Sequence, residues 1–127
     1  MKVILTKVDD SKDSQRVEFK CDYGVGSAHW LSDQPVANSE YEVELDCNDS
    51  LRLGLNAFSA DETGYAIMSN GVSTTFVANV EDVFDDGMVA LRLGDAILVS
   101  EFELESPRKG EWIKVTTNHL ELNNVSP

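Results

Sequence analysis

The sequence predicts an all-β, antiparallel barrel, and three observations carry that expectation. Apolar and polar residues alternate with period two from one end of the chain to the other. Short turn signals built from Gly, Asn and Asp separate the alternating stretches. No segment is convincingly helical in its apolar spacing. With 127 residues the chain fits one domain, 1–127. A chain of this size buries roughly two-thirds of its unfolded surface, enough for a core without metal or disulfide staples. A hydrophobic content of 42% suits a globular chain.

Taken in order, residues 2–8 read as a first strand. In 16–22, Val17, Phe19 and Cys21 alternate with Glu18, Lys20 and Asp22. A turn-rich stretch follows, with Gly24, Gly26 and Pro35, in which Trp30 is the expected anchor. In 40–47, Tyr41, Val43, Leu45 and Cys47 oppose Glu40, Glu42, Glu44 and Asp46, and Leu51, Leu53 and Leu55 continue the pattern. Asn70-Gly71 predicts a two-residue hairpin turn between Tyr65 and Phe76. Strands follow at 76–84, 88–93 and 96–105, divided by Asp85-Asp86-Gly87 and Gly94-Asp95. The last pair is 112–117 and 120–122. That makes about ten strands, with a short helix placed at 56–63 or 28–33, where alternation fails.

Cys21 and Cys47 share phase with core residues and read as buried free thiols rather than a disulfide framework. No apolar run approaches the ~18–20 residues that cross a bilayer. The first residues lack the apolar segment of a secretory signal, so a cytoplasmic location away from membranes is expected.

Charge is the most informative bulk property. The net charge is −13, yet residues 21–107 hold only Arg52 and Arg92 against 17 acidic residues, a net of −15. Such a field repels nucleic-acid phosphates and attracts basic partners. Period two places Glu40, Glu42, Glu44 and Asp46 on one strand face, the one expected to dominate association. It places Glu101, Glu103 and Glu105 on another, opposite Phe102 and Leu104. Glu81, Asp82, Asp85 and Asp86 surround a turn. These eleven carboxylates are the candidate partner-binding residues; solvated outer faces are the competing reading. Trp112 is out of phase with Ile113 and Val115, which fits a ring covered by a neighbouring segment, or an interface anchor if left open.

Catalytic and ligand-binding patterns are sparse. Gly24-Val25-Gly26 lacks the rest of a phosphate loop and reads as a connection between strands. His29 and His119 belong to no metal-ligand spacing, and 46–51 starts like a calcium loop but has Leu51 where the glycine belongs. No serine stands in a nucleophile-elbow setting. The chain is therefore expected to be no enzyme and to need no metal or cofactor.

The stretch from Val80 to Asp95 resembles paired strands of a small five-stranded barrel, and Gly110-Glu111-Trp112-Ile113-Lys114-Val115 with Leu120-Glu121-Leu122 resembles its closing strands. Together they are similar to oligonucleotide/oligosaccharide-binding (OB-like) barrels. They are also similar to small acidic bacterial proteins that act as immunity partners in toxin systems. The resemblance covers about residues 75–122 and implies that the N-terminal half supplies extra strands. It departs from nucleic-acid-binding barrels in lacking a basic groove with aromatic platforms. The function implied is a stoichiometric inhibitor that occludes a basic protein, such as a nuclease toxin, and binds no nucleic acid. The alternative is a small structural or ligand-carrier β-domain.

Overall fold

The computed structural model describes residues 1–9 and 15–127. Among these residues there is no helix. Twelve strands run in chain order as β1 Lys2–Val8, β2 Arg16–Cys21, β3 Gly24–Trp30, β4 Glu40–Cys47, β5 Ser50–Leu51 and β6 Ala57–Ser59. They continue as β7 Ala66–Ser69, β8 Thr74–Val83, β9 Met88–Leu93, β10 Ala96–Phe102, β11 Trp112–Thr117 and β12 Leu120–Asn124. Both segments suggested for a helix are extended: 28–30 ends β3 and 57–59 is β6.

The all-β barrel is present. Five strands close a ring in the order β1-β2-β3-β12-β4, shut by the return of β4 onto β1. Its pairing is mixed rather than wholly antiparallel, because β12 lies parallel to β3 at Glu121–His29 and Leu122–Trp30. The ring's strands are N-terminal, plus the last strand of the chain. The extra strands are therefore central, β5 to β11, and not N-terminal as the resemblance implied. A local pattern shows that a segment is a strand, but not which distant strand it pairs with.

The central strands form a second sheet, β6-β11-β8-β9-β10-β5, with β7 beside the first half of β8. It joins the ring where Gly24 of β3 pairs with Ile67 of β7. Inward residues of both parts merge into one core. Val3, Leu5, Phe19, Leu45 and Leu122 come from the ring, and Phe76, Leu91, Leu98, Ile113 and Val115 from the second sheet.

Glycine is required at the junction. A Cβ on Gly24 would lie 2.0 Å from the Ile67 carbonyl oxygen, and its φ is +138°. A Cβ on Gly26 would meet the Phe19 ring at 2.4 Å. The Gly24-Val25-Gly26 run is thus a strand that a second backbone and a core ring approach closely, rather than a connection.

The Asn70-Gly71 hairpin is present with a four-residue loop. The Asn70 side-chain oxygen accepts from the backbone N–H groups of Val72 and Ser73, which widens the turn beyond two residues. Cys47 is buried and Cys21 half-buried, both free. Burial pushes both thiols above the usual cysteine range. Native protein should therefore react slowly with a thiol reagent at neutral pH, while denatured protein should titrate two thiols. Fast native labelling of both would contradict the packing.

Candidate acidic docking site

The three acidic groups meet different surroundings. On β4, Glu40, Glu42, Glu44 and Asp46 are exposed while Val43, Leu45 and Cys47 are buried, so the alternation holds. Two of the four have cationic neighbours: Lys2 Nζ lies 3.5 Å from Glu40 and the Met1 ammonium 3.4 Å from Glu42. Asp46 pairs across the ladder with Glu121, another acid.

Glu81 stands apart from its predicted group. The β8–β9 ladder passes from Val80–Leu91 to Asp82–Ala90, leaving Glu81 as the extra residue of a bulge. A bulge re-aims a side chain, and here it sends the carboxylate to Arg92, which donates from Nε at 2.9 Å and from Nη2 at 3.1 Å. The guanidinium holds Glu81 below the usual carboxylate range. Of the two basic residues in the acidic region, one is spent on this pair, so Glu81 offers a partner little free charge.

Of the rest of that group, Asp82 is near the end of β8, and Asp85 and Asp86 sit on the β8–β9 turn. Asp82 and Asp86 accept the backbone N–H groups of Val83 and Met88, and Asp85 is exposed. The third group departs from its prediction beyond β10. Strand pairing ends at Phe102, and Leu104, expected on the inner face, is 85% exposed with φ +66°. The Glu105 N–H donates to the Glu103 carbonyl at 2.7 Å, so Leu104 is the centre of a tight three-residue turn. Ser50 Oγ donates to Glu103 at 2.8 Å and fixes its direction.

Sequence spacing gives no sign that the last two groups converge. Met88 pairs with Glu101, and the Phe102 N–H donates to the Gly87 carbonyl at 2.9 Å. One end of the second sheet therefore carries Asp85, Asp86, Glu101, Glu103 and Glu105 together. Apolar side chains are exposed within this surface: Leu104, Phe84 at 44% and Val99 at 45%. A surface cavity of about 300 Å³, lined by Asp49, Met88, Val99 and Glu101 among others, connects it to the end of β4.

Other candidate groups are elsewhere. Trp112 is half-buried, its ring 5.3 Å from Tyr65, which in turn packs on Tyr23. The covered reading of Trp112 holds in part. His29 faces Arg16, and His119 lies 3.7 Å from Asp49, so the two histidines serve separate surfaces. Among the described residues, no three His, Cys, Asp or Glu side chains are grouped to hold a metal ion. No helix there is long and apolar enough to cross a membrane.

The molecule is thus a closed five-stranded barrel carrying a central, acid-tipped second sheet. No protein-family model, curated protein or solved structure matches the chain.

Proposed function

We propose that the chain acts by stoichiometric binding of a basic protein, in the manner of an immunity or inhibitor protein facing a nuclease-like toxin. The observation that carries this reading is the convergence of Asp85, Asp86, Glu101, Glu103 and Glu105 around exposed Phe84 and Leu104. Apolar anchors rimmed by like charge are what a steered protein interface requires. The carboxylates would stand where the partner otherwise meets phosphates. Glu40, Glu42, Glu44 and Asp46 form a secondary acidic face.

Binding is favoured over catalysis because the candidate carboxylates of β4, the β8–β9 turn and the end of β10 stand exposed, rather than in an apolar pocket of the kind that holds a general acid protonated. It is favoured over ligand carriage because the inward side chains of both sheets pack as one core. The test is co-purification from cells producing the chain, at low salt, of a basic protein released at high salt. Its activity is then assayed with the chain at equimolar ratio. Full activity in the equimolar mixture would sink the inhibitor reading.

The same charge distribution predicts no measurable binding to single- or double-stranded oligonucleotides at moderate salt, because phosphate neutralisation needs clustered Lys and Arg. Fluorescence anisotropy checks this. Micromolar affinity weakening with salt would overturn it.

A further inference from the structure

A seam runs between β4 and β10. The two strands lie side by side, yet no ladder joins them. Ser100 Oγ reaches the Cys47 carbonyl at 3.4 Å, and beyond it the short β5 pairs in parallel with Glu101 and Phe102. Cavities of about 320 and 300 Å³ open along the seam, one lined from Val43–Asp46 and Asp95–Ile97, the other from Cys47–Ser50 and Val99–Glu101.

Register tells which backbone groups face it. Leu93 and Ala96 flank the two-residue turn Gly94-Asp95 and so exchange hydrogen bonds. The same parity reaches the Phe102 N–H on the Gly87 carbonyl. Residues 96, 98, 100 and 102 therefore bond towards β9. Ile97 and Val99 direct their N–H and C=O groups into the seam, and the Glu103 N–H, of the same parity, reaches Leu51 of β5. On β4, the Asn48 N–H goes to His119 on the β12 side, whereas Val43 bonds Met1 on the opposite side. By this parity Leu45 and Cys47 also face the seam. Backbone groups of four residues thus line one trough outside any ladder, and such groups seek partners.

We propose that this seam accepts an extended, basic segment of the partner as an added β-strand. This deepens the inhibitor reading and rests on it. Charge selects the occupant: Glu44, Asp46, Asp49, Asp95 and Glu101 flank the trough from both sides, against one cation, the Met1 ammonium 3.8 Å from Asp95. A second copy of this chain would bring the same acids and be repelled. Ile97 and Val99, 46% and 45% exposed, offer apolar contacts to alternate side chains of the incoming strand. Entry requires β4 and β10, whose Cα atoms approach within 8 Å along the seam, to part to about two strand spacings, roughly 9.6 Å, with the two-residue β5 ladder and the Ser100–Cys47 bond giving way at the closed end.

The probe is an alternating Lys-Val peptide of about eight residues, a common strand length. It is compared with the same peptide N-methylated at alternate amides, which keeps its charge and removes its ladder donors. The expected result is binding of the first peptide with slowed amide exchange at Ile97 and Val99. Binding by the methylated peptide, and by Val99→Pro protein, should be weaker by about tenfold, as losing one or more backbone hydrogen bonds implies. Val99→Thr, which retains the N–H, should bind as wild type does; a thermal melt shows whether the proline variant folds, and the methylated peptide on wild-type protein decides the question if it does not. Equal, salt-sensitive binding of both peptides without exchange protection at Ile97 and Val99 overturns strand addition while leaving acidic docking intact. Binding of neither peptide overturns strand addition as well; co-purification of a basic partner then decides acidic docking separately.

Discussion

Gly24→Ala should lower stability by about 3–5 kcal/mol, at or above the upper end for a single substitution. Two costs combine. A φ of +138° is hostile to any residue with a Cβ, and that Cβ would sit 2.0 Å from a backbone oxygen that cannot swing aside as a side chain would. The affected pair, Gly24–Ile67, is the ladder contact by which β3 holds β7, so the clash falls where ring and second sheet join. Ile67 also donates its N–H to the Tyr23 carbonyl at 2.9 Å, which pins the approach. For a domain of this size the loss corresponds to a fall in Tm of roughly 10–20 °C. The control is Gly71→Ala, where φ is +91° but nothing lies within 4 Å of the added atom. It should lose only about 1–2 kcal/mol, the left-handed penalty without a collision. Thermal melts of the two variants separate conformational strain from collision. If Gly24→Ala melts within a degree or two of Gly71→Ala, the close approach of β7 is not as described.

This junction also shows where sequence reading stops. The strands at 88–93 and 112–117 are legible to the residue, because Asp85-Asp86-Gly87 and Gly94-Asp95 bound the first, a nearly continuous apolar run, and Gly110 opens the second, where Ile113, Val115 and Thr117 alternate inward. β3 is not legible, since Gly24 and Gly26 imitate a loop and Ser27 is buried although it is polar and out of phase. Its glycines answer to tertiary neighbours, the Ile67 carbonyl and the Phe19 ring, that no local window contains. Closure of the ring is hidden for the same reason: Leu122 and Trp30 are distant in sequence, and parallel pairing leaves no turn to announce it.

The candidate site divides along similar lines. Exposure of Glu40, Glu42, Glu44 and Asp46 follows from period two, and the structure agrees. Glu81 fails as a free charge because a one-residue bulge turns it to Arg92, and alternation does not encode bulges. Glu105 and Leu104 fail as strand positions because pairing stops at Phe102. What replaces their alternation is a more specific feature. Leu104, held outward by a turn of a rare and strained type, stands between two carboxylates. Conformational strain maintained at an exposed apolar residue is a reason to look for a function there.

Charge reversal at this surface should have the largest functional effect. Asp85, Glu103 and Glu105 exchanged together for Lys should slow association with a basic partner, or with a lysine-rich polypeptide as probe, by about 10- to 100-fold at low salt. That range lies within what electrostatic steering contributes to on-rates. Reversing Glu40 and Glu42 should slow it less than about threefold, because the Met1 ammonium ties Glu42 to Asp95 at the start of β10, the end opposite Glu103 and Glu105, and screening weakens charges that far from the contact. The geometry thus moves the expected lead from the β4 face to the β8–β9 turn and the end of β10. Folding should be little affected in either set, since substitutions at exposed positions usually change stability by less than about 0.5 kcal/mol. Rates are measured by stopped flow across a salt series. The difference between wild type and the first set should shrink towards about 1 M salt, where the screening length falls to about 3 Å. Leu104→Ala makes the complementary change: an anchor lost from the interface should speed dissociation and leave the salt dependence of association unaltered. If the first set associates as fast as wild type at low salt, the convergence of these carboxylates is only a solvated edge and the inhibitor reading falls with it.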